Sequence, residues 1–179
     1  MRPPHRLTAR EIDQPVKDEI EATIKARGWC IGGYAQVEYI LADFVFKVSK
    51  LPAYAEFRDP PPHRFESRLK RVRAIADAAG PLSKYREGLV LLTSAIERWE
   101  ELRHFLTQGW LDVTLKKPEG VLILKLRRFR PEKGNPWAVQ AIAFSRTELE
   151  TTGSDISDLA EQALLMFDDI YAEFDLETG

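Results

Sequence analysis

Apolar residues recur at three- and four-residue intervals along most of the chain and switch to a two-residue rhythm in one stretch of its second half. From Val16 to Lys50 the positions Ile20, Ile24, Val37, Leu41, Phe44, Val45 and Val48 keep the helical period, and no proline intervenes. The pattern predicts a long first helix. Pro15 fits its first position, where a missing N–H costs nothing. Gly28, Gly32 and Gly33 fall inside it, each costing about 1 kcal/mol relative to alanine. Either the helix breaks there or another backbone comes close; close packing or a kink is the expectation. Leu51–Pro52 ends the helix, and Asp59–Pro60–Pro61–Pro62 reads as a rigid loop. A second helix is expected over about His63–Ala79, with Phe65, Leu69, Val72, Ile75 and Ala76 inside, stopped by Gly80–Pro81. A third is expected from about Leu82 to Thr107 on the stripe Leu92, Ala95, Ile96, Trp99 and Leu106, with Gly109 as its C-terminal glycine.

The period then becomes two. Leu111–Leu115 alternates like a half-buried strand, Val121–Leu126 is a β-prone run, and Trp137–Phe144 is a third strand. Turns are expected at Pro118–Gly120 and Gly134–Pro136. Ser145 with Glu148 three residues on makes a capping box, and Phe144 with Leu149 a hydrophobic staple. The last helix therefore starts at about Arg146 and continues through Ile156, Leu159, Ala163, Leu164, Phe167, Ile170 and Phe174, with Thr151–Gly153 as a candidate interruption. The fold class is mainly α: a bundle of four to five helices with a β-hairpin or meander inserted at about 111–144, before the C-terminal helix. Residues 1–14 read as a mobile N-terminal arm and 15–175 as a single domain.

Charge adds a second layer. The net charge of −2 argues against a globally basic nucleic-acid binder, but it is unevenly spread. From Arg146 to the end there are ten acidic residues and one basic residue. Two earlier segments are basic, Arg64, Arg68, Lys70, Arg71 and Arg73, and then Lys116, Lys117, Lys125, Arg127, Arg128, Arg130 and Lys133. The acidic helix packing near one of them is the weightier reading; a phosphate-binding surface is the other. Cys30 is the single cysteine, so no intrachain disulfide forms. With His5, His63 and His104 scattered, no zinc set is legible and no metal or cofactor is expected. No apolar run has signal-peptide or membrane-spanning length, so a cytoplasmic protein without a membrane partner is expected. The glycine patch lacks the Lys-Ser/Thr of a phosphate loop, and no serine lies in a nucleophile elbow. Trp29, Tyr34 and Tyr39 are candidate residues for a subunit seam.

On a helical wheel of the third helix, Arg103 falls in the centre of the stripe formed by Leu92, Ile96, Trp99, Leu106 and Trp110. An unpaired guanidinium there costs several kcal/mol or more. It requires a carboxylate, carbonyls or an external anion. Glu38, at the edge of the first helix's apolar stripe, is the candidate partner. A structural ion pair and an arginine awaiting phosphate are the two readings.

The run Glu101–Leu102–Arg103–His104–Phe105–Leu106–Thr107–Gln108–Gly109–Trp110 resembles the signature of HEPN domains (higher eukaryotes and prokaryotes nucleotide-binding), as in a bacterial group of that superfamily. There an arginine near a helix end is followed by a polar residue and, four to six positions after the arginine, by a histidine, often as His-Gly. Arg103, His104 and Gly109 match; Gln108 stands where the histidine belongs. The layout is also similar, with a long first helix bearing a small-residue patch, a second helix opening with Phe65, Arg68 and Leu69, a short β segment and a capped last helix.

The resemblance implies a homodimer whose arginine and histidine meet at the subunit seam and cleave RNA without metal through attack of a 2′-hydroxyl. It makes Arg103, His104 and Gln108 the catalytic candidates; Glu38, Arg68, Arg71, Arg98 and Arg128 are the binding candidates. Imidazole can take and give a proton near neutrality, and guanidinium offers a fork to phosphate oxygens. A glutamine amide does no proton transfer. His104, about 100° round the helix from Arg103 and on the face of Gln108, is one replacement; a register using Arg98 and His104 is another, with Arg98 off the apolar stripe. The expectation is a non-catalytic or degenerate HEPN-like dimer binding RNA, a nucleotide or a cognate protein in a defence or toxin–antitoxin setting. The alternatives are an active endoribonuclease using Arg103 and His104, and a purely structural or interaction domain. An open Arg103 ringed by Arg68, Arg71 or Arg128 favours the first two; an Arg103 locked to Glu38 favours the third.

Overall fold

The computed structural model describes residues 13–60, 62, 64–116, 121–131 and 133–176. Residues 1–12 of the expected arm, His63 and the Pro118–Gly120 turn lie outside them. The architecture is mainly α, with a three-stranded sheet before the last helix. In chain order come α1 (Gln14–Val48), a 3-10 helix (Pro52–Phe57), α2 (Phe65–Asp77), a second 3-10 helix (Pro81–Tyr85), α3 (Arg86–Glu97), α4 (Glu100–Gln108), β1 (Trp110–Lys116), β2 (Val121–Phe129), β3 (Val139–Phe144) and α5 (Arg146–Phe174). Among the described residues no helix is long and apolar enough to cross a membrane.

α1 runs unbroken through its glycines, and α5 through Thr151–Gly153. The capping box forms as expected: the Ser145 N–H donates to Glu148 Oε2 at 2.6 Å, and the Glu148 N–H to Ser145 Oγ at 3.2 Å. The expected third helix is two helices, because the chain turns at Arg98 and Trp99, and Leu82 belongs to a separate 3-10 helix. A wheel drawn straight through that turn does not describe α4.

The chain divides into two compact units. The first takes α1 as far as Cys30 together with Phe105–Gly153. Its sheet is an antiparallel meander in the order β1-β2-β3. The register pairs Leu111 with Leu126 and Val113 with Leu124 on one face, where Ile142 and Phe144 complete the rows. Leu124 and Leu126 are buried there with Phe105, Leu106 and Leu149 elsewhere in the unit. The opposite face aligns Trp110 with Arg127 and Ala141, and Phe129 with Val139. Gly153 is buried against the Trp29 ring, 2.8 Å from where a Cβ would stand.

The second unit takes Ile31–His104 and the chain from Ser154 on. Its core collects Leu41, Phe44, Val45 and Val48 from α1, Leu69, Val72 and Ile75 from α2, Leu89 and Ile96 from α3, and Ile156, Phe167 and Ile170 from α5. Phe44 stacks on Phe167 at 4.2 Å between centroids. Tyr34, expected at a subunit seam, is core instead; its hydroxyl donates to the Trp99 carbonyl at 3.0 Å. Tyr39 is exposed.

The three α1 glycines differ. A Cβ on Gly33 would stand 2.8 Å from Ile156 Cγ2, whereas Gly28 and Gly32 have nothing within 4 Å. Gly28→Ala and Gly32→Ala are therefore expected to stabilise by about 0.5–1 kcal/mol each. Gly33→Ala sets a similar propensity gain against a stiff β-branched neighbour and an overpacking cost of about 1–3 kcal/mol. Thermal melts of the three variants check the contrast; a stabilised Gly33→Ala would contradict the close approach.

Candidate functional site

Five side chains of the second unit converge where α1, α2 and α4 present charge. Glu100, at the first position of α4, faces Arg103 one turn later, as residues three apart on a helix do. The contact is fork to fork: Arg103 Nε donates to Glu100 Oε2 at 2.9 Å and Nη2 to Oε1 at 2.8 Å. Nη1 donates to Glu38 Oε1 at 3.4 Å. Arg68 closes the set, with Nη1 3.5 Å from Glu38 Oε2 and Nε donating to the Pro62 carbonyl at 2.8 Å. The Arg103 guanidinium also lies over the Phe65 ring at 5.1 Å. Its side chain is 16% exposed. Two guanidinium groups thus meet two carboxylates, so the cluster is balanced without an external anion. The hydrogen bond to Glu100 holds the Arg103 pKa above the ordinary arginine value against desolvation, with a further Coulombic contribution from Glu38.

The Glu38 pairing expected from the sequence is present, but the shorter, two-pronged partner is Glu100. The spacing Glu100–x–x–Arg103 is a legible signal for it. His104 Nε2 lies 3.0 Å from Glu100 Oε1, the oxygen that also receives Arg103 Nη2. His104 Nδ1 is covered and makes no hydrogen bond among the described residues. A general base must reach the proton that it removes; here one nitrogen faces a carboxylate and the other is shielded. Gln108, the last residue of α4, belongs to the first unit and is exposed.

The other binding candidates are dispersed. Arg71 Nη1 donates to the carbonyls of Asp59 at 2.7 Å and Pro60 at 3.1 Å and holds that loop. Arg98 is exposed in the turn between α3 and α4, so the Arg98–His104 register crosses a break in the helix. Arg128 sits on the inner face of the sheet in the first unit, buried over the Phe105 ring at 4.4 Å, with Nη2 donating to Gln140 Oε1 at 3.2 Å. Among the described residues, Glu150 of α5 pairs with Arg146 and Glu173 with Lys84, neither in a basic segment.

Sequence reasoning missed Arg27. Its Nε and Nη2 donate to the Leu106 carbonyl at 2.8 and 2.6 Å, and Nη2 also to the Gly109 carbonyl at 2.8 Å. It thereby caps the open carbonyl end of α4. Cys30 is buried, and its thiol lies 3.1 Å from the Leu149 carbonyl. Burial pushes its pKa up to about 11, the opposite of a nucleophilic cysteine. Among the described residues no group of three or more His, Cys, Asp or Glu side chains is placed to hold a metal ion. No protein-family model, curated protein or solved structure matches the chain.

Proposed function

We propose that this protein is a non-catalytic, HEPN-like interaction domain in which Arg103 is a structural residue. The observation that carries the reading is the closed Arg103 cluster: both prongs of the guanidinium on Glu100, the third nitrogen on Glu38, and Glu38 shared with Arg68. Phosphoryl chemistry needs a guanidinium free to meet developing charge. This one is neutralised by its own unit. Gln108 has no titratable group to substitute for the histidine of the signature, and His104 is committed to Glu100. The chain then acts through its surfaces, as a homodimer or with a cognate partner.

The test is cleavage of a mixed-sequence RNA in the presence of a chelator, with wild type, Arg103→Ala, His104→Ala and Gln108→His. No cleavage above background is expected from any of the four. Wild-type cleavage lost in both Arg103→Ala and His104→Ala would establish the active endoribonuclease instead. Cleavage gained in Gln108→His alone would show that the arginine can leave its carboxylates for a phosphate, and the closed-cluster reading would then fail.

A further inference from the structure

The outer face of the β-sheet presents a group of open aromatic rings. Trp110 at the start of β1 and Trp137 in the β2–β3 turn are each 75% exposed, and Phe129 at the end of β2 is 68% exposed. Large rings this open, grouped on one sheet face, mark a contact surface more often than chance. They are also held in place. Phe129 and Trp137 meet edge to face at 6.1 Å and 85°, and the Trp137 N–H donates to Asn135 Oδ1 at 3.1 Å. The register puts Trp110 opposite Arg127, whose same-face neighbours along β2 are Lys125 and Phe129. Arg127 pairs with Asp112 at 2.8 Å while half exposed, a weak tie that readily exchanges for another anion. Between Trp110 and Phe144 the sequence holds seven Lys and Arg against three Asp and Glu, a net +4 in a chain of net −2.

We propose that this face binds single-stranded nucleic acid, with unpaired bases stacking on Trp110, Phe129 and Trp137 and phosphates meeting Lys125, Arg127 and Lys133. Aromatic faces accept any base but only once it is unstacked, which selects single strands over duplex. An apolar protein partner would match the rings and leave the cations unmatched. The proposal stands independently of the Arg103 cluster, which lies in the other unit.

The experiment is fluorescence anisotropy of the full chain with labelled oligouridylate and oligothymidylate of about twelve nucleotides, and with a duplex of equal length. The expected result is binding of a single strand at low salt, with duplex on the order of ten-fold weaker. Comparison of the two oligomers tells RNA from DNA preference. Trp137→Ala and Phe129→Ala should each weaken binding on the order of ten-fold, and Arg127→Gln should flatten the salt dependence by about 0.7 in log–log slope. Matching circular dichroism and melting curves show that these surface variants fold. Absence of binding at low salt, preference for duplex, or undiminished binding by the Trp137→Ala/Phe129→Ala double variant overturns the proposal. So does sedimentation as an oligomer that Trp137→Ala dissolves without any oligonucleotide binding, which would make the occupant a second copy meeting the face through its acidic α5.

Discussion

Replacing Arg103 by methionine is expected to cost about 2–4 kcal/mol of stability, read as a lower urea midpoint at unchanged slope. The methionine keeps most of the apolar stem over Phe65 but leaves Glu100 and Glu38 with half their partners. Glu100 is as covered as Arg103, so its carboxylate bears a substantial desolvation cost once the fork is gone. Glu38 is more exposed and keeps Arg68, so Glu38→Gln should cost less than about 1 kcal/mol. Arg103→Lys should recover only part of the loss, because an ammonium is a point charge that cannot present two parallel donors. The decisive comparison is the double variant Arg103→Met/Glu100→Gln. Removing the charge left behind should restore roughly half of the single-variant loss. A loss under about 0.5 kcal/mol in Arg103→Met would mean that the guanidinium is not structural, and the phosphate-binding reading would regain its residue.

Periodicity and local chemistry made most of the fold legible. The alternation from Leu111 to Leu115 and the run from Val121 to Leu126 are strands, and Ser145–Glu148 placed the start of α5 at Arg146. What escaped depends on contacts distant in sequence. Arg98–Trp99–Glu100–Glu101 contains neither glycine nor proline, so propensity gives no reason to end a helix there. The turn forms nonetheless, with the Trp99 N–H donating to the Ile96 carbonyl at 3.1 Å and the Trp99 carbonyl receiving the Tyr34 hydroxyl. The wheel joined Arg103 to Leu92 and Ile96 across that turn, and to Trp110, which lies beyond α4 in β1. The glycines of α1 are likewise indistinguishable in sequence; it takes Ile156 to separate Gly33 from Gly28 and Gly32.

Gly109→Ala is expected to be the most damaging single methyl addition in the first unit, at about 3 kcal/mol or more, lowering the melting temperature by roughly 6–12 °C. Its position after α4 suggests a left-handed cap, yet Gly109 is not at positive φ; among the described glycines Gly134 is, at 84°. The reason for glycine is space. A Cβ would collide with the Phe105 carbonyl oxygen, which the Gly109 N–H already engages at 2.8 Å, and would stand 3.3 Å from Leu126 Cβ. Backbone cannot yield as a flexible side chain does. Relief must therefore shift Gly109 itself, and with it the carbonyl held by Arg27 and the first pair of the sheet register, Trp110 with Arg127. Arg27→Met removes the same cap from the other side and should cost about 1–3 kcal/mol through unsatisfied carbonyls. The two losses should add to less than their sum, since each destroys what the other depends on. Full additivity would place the Gly109 effect in the β1 junction alone; a Gly109→Ala protein as stable as wild type would refute the collision. Glycine at position 109 is thus demanded by the space left between the Phe105 carbonyl and Leu126, a requirement that holds whether or not any chemistry takes place at Arg103.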